Sequence, residues 1–136
     1  MSEESSHLAP YLRAAIVIAL GLAVGSVMIL SSNSFSTFSP LPLTSPHVYV
    51  LATLTGILMA YMYENITHIA LSVSASTAVA VGCLGLALAL SLRAVGWTVS
   101  FDGLMRMMGM QLLTYGFAML ILQVAGVFLV LFIRKR

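Results

Sequence analysis

Ala14 to Tyr63 reads AAIVIALGLAVGSVMILSSNSFSTFSPLPLTSPHVYVLATLTGILMAYMY, fifty residues without an Asp, Glu, Lys or Arg. Soluble domains carry about 25% charged residues, which keep their surfaces hydrated. A stretch this long with no charge calls for an apolar solvent. Two further charge-free runs follow, Asn65 to Leu92 and Met107 to Ile133. The charges stand at the borders of these runs, as expected of an integral membrane protein whose apolar segments cross the bilayer.

Composition agrees. Of 136 residues, 60% are hydrophobic and 7% charged, and the mean hydropathy is +1.06. The length suits one membrane domain. The net charge of +2 comes mostly from the tail Arg134-Lys135-Arg136. Such a tail marks a cytoplasmic terminus and is too short for a nucleic-acid surface, which needs basic residues clustered on a folded face. Cys83 is the single cysteine, so an internal disulfide and a CxxC metal site are both excluded.

The runs divide into four predicted spans. The first covers about residues 11–30, whose roughly 20 residues reach about 30 Å, one hydrocarbon thickness. It follows a polar tail ending at Pro10. Residues 31–46 form a Ser/Thr/Pro/Asn loop with Pro40, Pro42 and Pro46, where each proline removes a backbone donor and restrains its predecessor. The second span, 47–63, is shorter, about 25 Å. The third and fourth, 66–92 and 105–133, are long enough to tilt. Between them, residues 93–104 form an outer loop with Trp97 at headgroup depth. The fold class is therefore an all-α integral membrane protein, four transmembrane helices in a compact bundle of two helical hairpins.

Tyr61-Met62-Tyr63-Glu64-Asn65 joins the second and third spans. A continuous helix from His47 to Leu92 would be about 69 Å long, more than twice the hydrocarbon core. The segment thus reads as a tight interfacial turn anchored by tyrosines. Four spans put both termini on one side. Arg13, Arg134, Lys135 and Arg136 then lie in the cytoplasm, with Arg93 and Arg106 outside, a four-to-two bias of the expected sign. A cleaved signal peptide is the competing reading of the first span, but the acidic start and the long apolar run from Ala14 to Leu30 argue for retention.

Small residues recur at three- and four-residue steps. The third span carries Ala75, Ala78, Gly82, Gly85 and Ala89 on one face. Gly109, Gly116 and Gly126 lie along the fourth span, Gly56 in the second, and Gly21 and Gly25 form a GxxxG in the first. Such faces let helix backbones approach in lipid, where apolar surface alone supplies no drive. Internal packing accounts for most of them. The unbroken stripe of the third span is the candidate for contact with a second subunit.

Few residues carry chemistry. Glu64 and His68 are one helical turn apart and form the candidate ion or proton site. His47 and His68 fall at opposite membrane faces, which argues against a shared haem. Arg106 is a candidate contact for a lipid phosphate or anion, or an i, i+4 partner of Asp102. Gln111 and Gln123 are polar groups inside the fourth span, suited to hydrogen bonds with a neighbouring helix. The sequon Asn65-Ile66-Thr67 falls on the cytoplasmic side, out of reach of glycosylation. The nine methionines read as flexible packing residues, with no His or Cys set beside them. With no nucleophile–base pair, metal set or phosphate loop, we expect no enzyme, metal or cofactor. The expected partners are the lipid bilayer and either further copies of the chain or a larger membrane complex, with no nucleic acid. The expected role is a non-enzymatic accessory or assembly subunit of the cell membrane that works through helix packing. The alternative is a small oligomeric proton- or cation-coupled transporter or channel using Glu64 and His68.

Overall fold

The structure, a computed structural model, describes residues 4–31, 46–94, 96, 98 and 100–135. Among them there is no strand. Four helices follow in order: α1 (Glu4–Ser31), α2 (Pro46–Met62), α3 (Ile66–Ala94) and α4 (Phe101–Arg134). Three are long and apolar enough to cross a membrane, through Ala9–Ile29, Ile66–Ala94 and Leu112–Arg134; α2 is a shorter apolar helix. The Pro-rich stretch 32–45, Trp97 and Arg136 lie outside the described residues.

The helix ends are set by local chemistry. The helix α1 begins earlier than the apolar run and passes through Pro10, which is exposed. Pro10 supplies no N–H to the carbonyl four residues back, a loss that water can make good beyond the apolar layer. The helix α3 ends where Gly96, at φ +83°, turns the chain and donates its N–H to the Arg93 carbonyl at 3.0 Å. That left-handed conformation carries little penalty only for glycine. Ser100 caps α4, its extended backbone letting the hydroxyl accept the Gly103 N–H at 3.2 Å. Asp102 in the first turn complements the helix dipole. Asp102 and Gly103 are therefore helical, not part of the preceding loop.

The closest packing joins alternate helices rather than consecutive ones. The pair α1/α3 and the pair α2/α4 make the most extensive contacts, and the backbones of α1 and α4 do not approach each other closely among the described residues. The order round the bundle is α1, α3, α4, α2. One apolar cluster gathers Val17, Met59, Ala60, Ile69, Val73, Val127 and Val130. A second gathers Val24, Met28, Val48, Ala52, Ala80, Leu84 and Met119. The first cluster joins Val17, midway along α1, and the start of α3 to the ends of α2 and α4, and the second joins the end of α1 to the start of α2, so helix direction alternates and the start of α1 and the end of α4 share one end of the bundle.

The outside of the bundle is apolar as well. Leu22, Leu54, Leu86, Phe117 and Phe128 are exposed on the four helices. An outward apolar surface of this extent would be an aggregation liability in water and is the normal state of a bundle in lipid. Hydroxyls on the helices are satisfied locally: Ser26, Thr53, Thr55, Ser91 and Thr114 each donate to the carbonyl four residues back.

Candidate functional site

All four helices meet at one level through a chain of close contacts. Gly21 of α1 faces the Ser76 carbonyl, which a β-carbon there would meet at 2.8 Å. Across α3, the Ser76 hydroxyl accepts from Gln123 Nε2 at 3.4 Å. The Gln123 backbone in turn lies against Gly56 of α2. Gln123 stands near the middle of the apolar run Leu112–Arg134 and is fully buried with Ser76; Thr77 is nearly so. The Thr77 hydroxyl lies 2.9 Å from the Val73 carbonyl and 3.1 Å from Gln123 Oε1, so its one hydrogen is shared between two acceptors. Among the described residues, no buried side-chain polar atom lacks a partner. An unpartnered amide in a dry interior would cost about 2–7 kcal/mol, so this closed network fixes the register of α4 on α3.

The predicted packing glycines separate into three groups. Gly21, Gly25, Gly56 and Gly126 are buried at backbone contacts. Gly25 faces the Ala80 carbonyl and Cys83 Cβ, and Gly126 faces the Thr53 carbonyl and the Ile57 amide. Gly85 and Gly116 lie in the looser α3/α4 contact, opposite Leu112 and Val81. Gly82 and Gly109 meet nothing within 4 Å, and Ala75, Ala78 and Gly82 are exposed. The face of α3 that packs inward is instead Ile69, Val73, Ser76, Ala80 and Leu84. Between α3 and α4 an open groove of about 550 Å³ runs along Ala78, Val81, Gly109, Gly116 and Phe117, with Thr77 and Ser74 as its hydroxyls.

The candidate ion-site residues lie at the end of the bundle. Tyr63-Glu64-Asn65 is the whole link between α2 and α3, so Glu64 sits in a turn, as its sequence context implies. The Asn65 side-chain oxygen accepts the Thr67 N–H at 3.0 Å, and its carbonyl accepts the Ile69 N–H at 3.1 Å, which starts α3. Glu64 and His68 are both exposed. His68 stacks on the Tyr63 ring, centroids 6.1 Å apart and planes 15° apart. No ion pair joins Glu64 to His68 among the described residues.

Two arginines converge on the same turn. Arg13 Cζ lies 5.7 Å above the Tyr63 ring centroid, and Arg134 Cζ lies 5.3 Å above that of Tyr61. Neither pairing is visible in the sequence, where the partners stand far apart. At the opposite end Arg106 pairs with Asp102 at 3.6 Å, both side chains exposed. Such a pair stabilises little. His47, at the start of α2, is at that opposite end too, away from His68. The Gln111 side chain lies outside the described residues, and no three His, Cys, Asp or Glu side chains among the described residues converge as a metal site. No family model, no curated protein and no solved structure matches this chain.

Proposed function

We propose that this chain is a multi-pass protein of the cell membrane in which all four helices cross the bilayer with both termini in the cytoplasm. Its role is that of a non-enzymatic accessory or assembly subunit that acts by packing against other membrane helices. The observation that carries this reading is the division of labour on α3. Its polar face is consumed inside the bundle by Gln123, while the small residues Ala75, Ala78 and Gly82 face outward beside an open groove. A smooth, small-residue helix face in lipid favours close approach of another helix. Purification in mild detergent tests it: the chain should migrate with a larger membrane complex, and Ala78→Leu with Gly82→Leu should release it.

The alternative is an oligomeric proton- or cation-coupled transporter with Glu64 and His68 as the coupling pair, favoured by their one-turn spacing at an exposed end. Reconstitution into liposomes separates the two. A coupled flux lost on Glu64→Gln would overturn the accessory role; inert vesicles together with co-purification would overturn transport.

A further inference from the structure

We propose that the end of the bundle around the α2–α3 turn binds the phosphate of an anionic phospholipid, with Arg13 and Arg134 supplying the guanidinium donors. Arg13 belongs to α1 and Arg134 to α4, two helices whose backbones do not approach each other closely among the described residues. The fold nevertheless brings both over tyrosines two positions apart, Tyr63 and Tyr61. A guanidinium resting on a ring engages the negative π-face and keeps N–H donors for a bidentate oxyanion. The ring also limits the conformations the long side chain would lose on binding.

Charge balance points the same way. Glu64, the described carboxylate of this turn, forms no ion pair with Arg13 or Arg134, whereas Arg106 at the far end is paired with Asp102. Lys135 is exposed beside Arg134, and Arg136 follows in the sequence. Both arginines border charge-free runs, which puts them at headgroup depth once the helices span. Leu12, Ile66 and Ile133 are exposed close by in the sequence of the same helix ends and offer apolar contact to acyl chains, which a free phosphate lacks. A glycerol headgroup leaves the lipid one net negative charge, while a choline headgroup cancels it. The site should therefore prefer phosphatidylglycerol to phosphatidylcholine. This inference rests on the spanning orientation proposed above and is independent of the accessory or transporter role.

The test uses the full chain in detergent micelles, titrated with short-chain phosphatidylglycerol, short-chain phosphatidylcholine or inorganic phosphate and followed by the shift in thermal unfolding. Phosphatidylglycerol should bind more tightly than phosphatidylcholine. The double variant R13Q/R134Q should lose roughly thirtyfold in affinity, two surface cations' worth, while R93Q keeps wild-type binding. Three results would overturn the proposal: an unchanged preference in R13Q/R134Q, an equal loss in R93Q, or an equal shift with inorganic phosphate, which would mark a soluble-anion site. Side-specific labelling of Glu64→Cys in vesicles reads the orientation separately, so a wrong orientation is distinguishable from a wrong ligand.

Discussion

A β-carbon on Gly56 would meet the Gln123 carbonyl carbon at 2.7 Å and its α-carbon at 2.9 Å, so α2 and α4 touch backbone to backbone at that point. One step along, Gly126 meets the Thr53 carbonyl in the same way. The obstacle in both cases is main chain, which cannot rotate aside as a side chain would. Dispersion between closely matched backbones is the main source of attraction available in lipid.

Gly56→Ala and Gly126→Ala should each lower stability by about 1–3 kcal/mol, the usual range for overpacking a filled interior. Gly82→Ala and Gly109→Ala, which meet open space, should stay within about 1 kcal/mol of wild type or gain slightly from helix propensity. Unfolding in mixed micelles, followed by circular dichroism, measures both. Equal losses at all four positions would contradict the assignment of the interfaces.

Gln123→Leu should destabilise by about 0.6–1.7 kcal/mol, from the average to the largest value typical of hydrogen bonds between membrane helices. Ser76 and Thr77 can fall back on carbonyls of their own helix, which keeps the loss modest. A double-mutant cycle with Ser76→Ala should show coupling; strict additivity would mean that the contact contributes nothing.

Asn65→Ala should remove the bond to the Thr67 amide and Ser100→Ala the bond to Gly103. Each should cost about 1 kcal/mol, the typical value of an N-cap. Hydrogen exchange at the first turns of α3 and α4 should rise while the helix centres stay protected.

Cysteines placed at positions 64 and 98 in a Cys83→Ala background should react with an impermeant thiol reagent from opposite sides of a sealed vesicle, position 64 from the cytoplasmic side. Labelling of both from one side would rule out the alternating arrangement across the bilayer. Protection of position 64 from both sides would place Glu64 inside the protein and strengthen the transport reading.

Much of the architecture was legible from charge spacing. Glu64 between two apolar runs forecast a turn, and that turn lies between α2 and α3. Gln123 was recognisable as a buried polar group because a carboxamide inside an apolar run must find a partner. Its partners were not, since hydroxyls on any neighbouring helix would serve. The stripe Ala75, Ala78, Gly82, Gly85, Ala89 was legible as a packing face, but not whether it packs inside the bundle; Ala75, Ala78 and Gly82 are exposed. A second series on the same helix, Ile69, Val73, Ser76, Ala80 and Leu84, also runs in three- and four-residue steps, and that one faces inward.

The sequence by itself determined an all-helical chain with helices apolar enough to cross a membrane and the positions at which most of them end. Those features depend on local quantities: the transfer free energy of each segment, and proline, glycine and capping side chains near the borders. Only the tertiary structure decided that α1 lies on α3 and α2 on α4, that Gly21 and Gly56 meet Ser76 and Gln123 in one layer, and that Arg13 and Arg134 reach the same turn. In lipid the outward face of a helix is about as apolar as the inward one, so outside the few polar groups such as Gln123 polarity leaves little mark of the inside. The choice falls to the fit of one backbone against another, which no single segment encodes.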